Sequence, residues 1–203
     1  MDKRLFMAVP LLTLFQTAIA QGSDNNFYIG AGLGQSNYDT GVSSLTGSAR
    51  HDKTDSGYKL FAGYSLNKFV AVEGHYADFG KTSLSGNTGD TFVHDGTTYS
   101  FAANNVTLTS NASSLGIAGV FSYPVTDSIA PFAKIGLHYW EDDGKASSGV
   151  ASYNVGDDGT DLFFGIGMNI AINDSLSARL EAERFKFDDD ELDYFSIGLQ
   201  YNF

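Results

Sequence analysis

Tyr194-Phe195-Ser196-Ile197-Gly198-Leu199-Gln200-Tyr201-Asn202-Phe203 alternates almost without fault. Phe195, Ile197, Leu199, Tyr201 and Phe203 share one side; Tyr194, Ser196, Gly198, Gln200 and Asn202 share the other. Successive strand residues point to opposite faces, so this is a strand whose two sides meet different surroundings.

The front of the chain says which surroundings. Lys3-Arg4 precede a mostly apolar run, Leu5 to Ile19, and Ala18-Ile19-Ala20 fits a cleavage site, so residues 1–20 read as a secretory signal peptide. Residues 21–203 are then one mature domain, with 10 basic and 23 acidic residues, a net charge of −13. Such a chain repels nucleic acid. It has no cysteine, which excludes disulfide frameworks and thiolate chemistry. No later stretch approaches the ~18 apolar residues of a spanning helix, so a membrane form must be a closed barrel.

Reading outward for the same alternation gives eight strands, near Phe27–Ser36, Gly57–Ser65, Phe69–Asp78, Ser113–Tyr123, Pro131–Trp140, Leu162–Ile172, Leu176–Phe187 and Tyr194–Phe203. Each has the length of a tilted membrane-crossing strand. Tight turns fall around Asn67-Lys68, Thr126-Asp127 and Asn173-Asp174, against long connections at 37–56, 80–111 and 141–161. Short turns on one rim and long loops on the other predict an all-β, eight-stranded antiparallel up-and-down barrel in the outer membrane, both termini periplasmic. The final strand, through Leu199, Tyr201 and Phe203, resembles the ending read by the barrel-assembly machinery; that machinery, periplasmic chaperones, membrane lipid and lipopolysaccharide are the expected partners.

One parity set is apolar. The other holds Lys59, Glu73, His75, Lys134, His138, Arg179, Glu181 and Glu183 among many glycines. A basic residue facing lipid at mid-bilayer costs ~2–4 kcal/mol, so the polar set faces the lumen. There Lys59, Lys134 and Arg179 balance Glu73, Glu181 and Glu183, which reads as a self-neutralising network and, alternatively, as the gate of a narrow pore. Tyr38, Phe79 and Trp140 on one rim, with Phe27, Phe69 and Tyr123 on the other, are expected to form interfacial girdles.

Several pieces resemble the OmpA-like transmembrane domain, an eight-stranded family: Phe27-Tyr28-Ile29-Gly30-Ala31-Gly32-Leu33-Gly34, Asn67-Lys68-Phe69-Val70-Ala71-Val72-Glu73, Tyr123-Pro124-Val125-Thr126-Asp127 and Ala178-Arg179-Leu180-Glu181. The resemblance places the family's gating glutamate on Glu73 and its arginine on Arg179. Two lysines of that gate fall on Gly32 and Val120, and Lys59 is the expected replacement cation. The family often adds a periplasmic peptidoglycan-binding domain, which is not expected after Phe203.

The resemblance implies a structural or surface-interaction role, the long loops being the candidate contact surface for a ligand; a small-solute pore is the alternative. An enzyme is not expected. Small barrels that modify lipid A need a hydroxyl near a histidine base, and no such pair stands in the last two strands. Acidic runs such as Glu141-Asp142-Asp143 and Asp188-Asp189-Asp190-Glu191 carry oxygens of the kind divalent cations take, but match no defined loop, so neither metal nor cofactor is expected.

Overall fold

The structure, a computed structural model, describes residues 26–149, 151–188 and 190–203. The expected signal peptide lies outside these residues, as does Asp189. Among the described residues twelve strands follow in order: β1 (Phe27–Asp39), β2 (Val42–Ser43), β3 (Arg50–Asp52), β4 (Thr54–Ser65), β5 (Val70–Gly86), β6 (Thr91–His94), β7 (Thr97–Ser100), β8 (Val106–Ser122), β9 (Ile129–Ser148), β10 (Ala151–Ala171), β11 (Leu176–Phe187) and β12 (Asp190–Asn202). Eight of them form a closed antiparallel ring, β1-β4-β5-β8-β9-β10-β11-β12, with β12 returning to β1. The sequence places the barrel strands correctly.

Closure comes from the alternating stretch at 194–203. β12 pairs with β1 from Tyr28↔Asn202 to Asp39↔Glu191, and the Phe203 N–H donates to the Phe27 carbonyl at 3.1 Å. Every edge is thereby paired within the membrane-crossing part, which lipid demands.

The three tight turns share one device. The side-chain oxygens of Asn67, Thr126 and Asn173 each accept two backbone N–H bonds from residues two and three positions on, at 2.8–3.2 Å. Short polar side chains that satisfy the turn's own donors fix hairpins without glycine.

The long connections differ from expectation. Segment 141–161 is not a loop: β9 and β10 run on past the rim as one hairpin, paired without a break from Ile129↔Ile170 to Ser148↔Ala151. β5 and β8 also rise, with a register shift between Asp78 and Lys81. Within 97–109, Thr97–Ser100 joins a separate three-stranded sheet, β2-β6-β7, and only the part from Val106 extends the barrel wall. Asp90 clasps this upper layer together, accepting from Ser48 Oγ (2.6 Å), Ser48 N (3.1 Å) and Asn87 N (2.9 Å).

One girdle is also corrected. Phe27, Phe69 and Tyr123 are exposed on the short-turn rim as expected, but Tyr38, Phe79 and Trp140 are buried inside the barrel. The outward aromatics toward the long-loop rim are Tyr58, Tyr76 and Tyr139. The misplacement has a simple origin: Phe79 and Trp140 have the parity of Ala77 and His138, so alternation points them inward, and their position near strand ends suggested the wrong surface.

Candidate functional site: the filled lumen and the long-loop mouth

All eight polar residues expected on the lumen face, His138 among them, are buried. β4 contributes Lys59, β5 Glu73 and His75, β9 Lys134, and β11 Arg179, Glu181 and Glu183. Period two along each strand aims them at the axis, and glycines opposite them leave the space. Gly165, for example, is paired with both Lys134 and Glu183, and a Cβ there would come within 2.8 Å of Glu183 Cγ.

The pairing differs from the expected scheme in one respect. Arg179 Nη1 lies 2.7 Å from Glu73 Oε2, the pair that the family resemblance placed on these two positions. Lys59, however, does not serve Glu73; it pairs with Glu181 and Glu183. Lys134 is the bridging cation, 2.6 Å from Glu181 and 2.6 Å from Glu183 but 3.5 Å from Glu73. Lys59 shares a wall with Glu73, yet the acids of β11 reach across to it first.

Aromatic side chains that the charge pattern did not single out complete the fill. On the short-turn side Arg179 lies between the Phe61 and Phe132 rings, at 4.3 and 4.5 Å, and the Tyr28 hydroxyl donates to Glu73 Oε2 at 3.0 Å. Arg179 Nη1 also donates to Gln200 Oε1 at 3.0 Å. On the mouth side Phe79, Phe163, Phe185 and Tyr194 are all 0 % exposed, and Phe163 and Phe185 stack at 5.0 Å. Their parity is that of the charges, so counting by two from Glu183 to Phe185 finds them. Apolar character alone assigns them to lipid.

A polar chain runs against that layer. Ser114 Oγ lies 3.0 Å from His75 Nε2 and 3.0 Å from His138 Nδ1, and His138 Nε2 lies 2.9 Å from the Lys186 carbonyl. With neutral rings the direction is fixed, because a carbonyl only accepts: His75 donates to Ser114, Ser114 to His138, and His138 to Lys186. No local sequence pattern marks it, because Ser114 is 39 residues from His75 and 24 from His138. It is enclosed: Phe163 and Phe185 pack edge-on against both histidines at 4.7–5.8 Å.

Above the aromatic layer the barrel opens into a cavity of about 360 Å³, floored by Tyr38, Trp140 and Phe187 and ringed by carboxylates, among them Asp142, Asp157 and Asp188. The Trp140 indole N–H donates to Asp161 at 2.8 Å, and this bond, with one from the Asp188 backbone N–H, holds the Asp161 carboxyl below the usual range. Among the described residues no three acidic, histidine or cysteine side chains converge to hold a metal. Leu199, Tyr201 and Phe203 face outward, exposed.

The OmpA-like transmembrane domain matches residues 22–187. Outer membrane protein A of Shigella flexneri is 30% identical over 177 residues, 86% of this chain and 45% of the relative, so the chain spans about half the length of that relative. Ail, the attachment invasion locus protein of Yersinia pestis, superposes with a TM-score of 0.57 at 18% identity, covering 89% of this chain and 100% of Ail. Ail in complex with the heparin analogue sucrose octasulfate gives 0.52 at 15%, covering 88% and 99%. These two likenesses carry the fold alone. With eight strands in a closed ring and the family's match across most of its length, this chain belongs to the OmpA-like transmembrane domain family, and it is an outer-membrane β-barrel protein.

Proposed function

We propose that the barrel is a closed structural element of the outer membrane that presents a surface-interaction site at its long-loop mouth. The observation that carries this is the double fill of the lumen: a neutral six-charge network, then a layer of fully buried aromatic rings above it. Rearranging ion pairs alone leaves the rings in place, so the pore reading is the weaker one. Eight strands enclose an interior that side chains can fill, and here they do.

In this reading the long-loop rim is extracellular and both termini are periplasmic, as the short turns support. Exposed Leu33, Ile135, Ile166 and Ile197 meet the acyl chains of the membrane, with lipopolysaccharide around the outer rim. Leu199, Tyr201 and Phe203 are the signal for the barrel-assembly machinery, after delivery by periplasmic chaperones. No enzymatic role is proposed: Ser114 and His138 are buried, at 2% and 1% exposure, and His138 packs edge-on against Phe163.

Cells lacking the gene, complemented with either the full chain or one in which residues 145–154 are replaced by a two-residue turn, test the proposal. The null strain is expected to leak dye and detergent and to lose surface binding. The shortened barrel should restore the permeability barrier only. A null strain unchanged in both readouts contradicts the proposal.

A further inference from the structure

We infer that the raised hairpin is a docking edge for an extended basic peptide segment, recognised by strand addition to β10. This rests on the surface-interaction reading above and names the chemistry of its partner.

The first observation is an open sheet edge. β10 pairs with β9 along its whole length, but with β11 only from Phe163 to Ala171. Above the rim, from Ala151 to Leu162, the other side of β10 is paired with no strand among the described residues. At ~3.3 Å per residue this is roughly 40 Å of strand with backbone groups facing away from its partner. Such an edge is a template for another extended chain.

The face beside this edge is the second observation. Directly paired residues share a face, so Trp140/Gly159, Asp142/Asp157, Gly144/Val155 and Ala146/Tyr153 form successive rungs up the inner side of the wall. Leu108 joins the last rung from β8. Tyr153 is 70% exposed and Val155 63%. The wall is thus apolar at the top, acidic in the middle and aromatic at its base.

Charge then selects the occupant. Asp142 faces Asp157 directly, and on the opposite face Glu141 faces Asp158. Like charges directly opposite destabilise an antiparallel pair, and here two consecutive rungs carry them. The two carboxylate rungs are adjacent and Val155 and Tyr153 stand above them, so an added strand with basic residues beside Asp157 and Asp158 and apolar ones beside Val155 and Tyr153 relieves the first and covers the second. A second copy of this edge brings more carboxylates and is repelled, and so is a sulfated saccharide. The mouth therefore takes the opposite charge from the polyanion seen on Ail.

Trp140 supplies the reporter. It is the sole tryptophan of the chain, and a Cβ on Gly159 would lie 2.6 Å from its indole, so it touches the edge strand. The experiment uses the full barrel in a nonionic detergent and a ten-residue peptide of five Lys followed by five Val, carrying a dansyl group and read by energy transfer from Trp140. Saturable transfer is expected. Asp142→Asn with Asp157→Asn should weaken it about tenfold, whereas Asp127→Asn with Asp174→Asn, which remove the same charge at the short turns, should not. A peptide N-methylated at alternate amides should fail to bind, because it cannot pair with the edge.

Absence of transfer, equal losses in both double variants, equal binding of the N-methylated peptide, or preference for an acidic Glu-Val peptide or sucrose octasulfate each overturns the inference. Failure of the surface-interaction reading is separate: it appears in cells, as undiminished surface binding when the hairpin is cut.

Discussion

Glu73 joins most of the lumen by itself: it accepts from Tyr28 at 3.0 Å and pairs with Arg179 at 2.7 Å and Lys134 at 3.5 Å. Breaking a buried pair by removing one partner costs ~3–5 kcal/mol because the other charge stays behind. Glu73→Ala should therefore lower the urea midpoint of unfolding strongly, and Glu73→Gln, which keeps acceptor and volume, by less; equal midpoints contradict the pairing. Gly63 tests the fit from the other side. A Cβ there would collide with the Tyr28 ring, so Gly63→Val should cost ~1–3 kcal/mol by overpacking, read in the same titration. Asp161 sets a pH dependence. Its carboxyl is depressed by the Trp140 indole N–H first and the Asp188 backbone N–H next. A depressed group stabilises above its unfolded value and loses that contribution as pH falls through the folded one. Trp140 emission should hold steady from neutrality to about pH 4 and change below it; a transition near neutrality contradicts the assignment.

At the scale of elements, the strands were readable because two solvents impose a period of two, and a one-residue slip would turn Lys59 and Arg179 into lipid. Glu73, Lys134, Arg179 and their neighbours were readable for the same reason. The aromatic fill was harder. Phe61, Phe132, Phe163 and Phe185 have lumen parity, but an apolar ring reads equally well as lipid-facing until a charge on the same strand anchors the count. The raised hairpin was invisible because above the rim neither face meets lipid, so Gly144, Asp157 and Asp158 look like loop residues while the backbone continues its ladder. Hydrogen exchange separates the two descriptions. Amides of 143–147, in the pairing register with β9 and β10, are expected to be protected well beyond those of the Asp95-Gly96 turn; equal, rapid exchange contradicts a continuous hairpin.

For the whole molecule the consequence is a division between a wall that spans and a mouth that presents. Closure by β12 against β1 makes the last strand a condition of the fold, since it pairs on both sides, with β1 and β11. Phe203→Asp places a charge on the outward row of Leu199 and Tyr201 and is expected to reduce outer-membrane levels while export continues; unchanged levels contradict the assembly role. The division itself rests on a lumen closed by charges and rings together. Single-channel recording in planar bilayers measures this directly, on the folded wild-type barrel, on Glu73→Ala, and on Glu73→Ala combined with Phe163→Ala and Phe185→Ala. Silence from the first two, with discrete openings only when the aromatic layer is also removed, is the predicted result; discrete conductance from the wild type or from Glu73→Ala alone would contradict it.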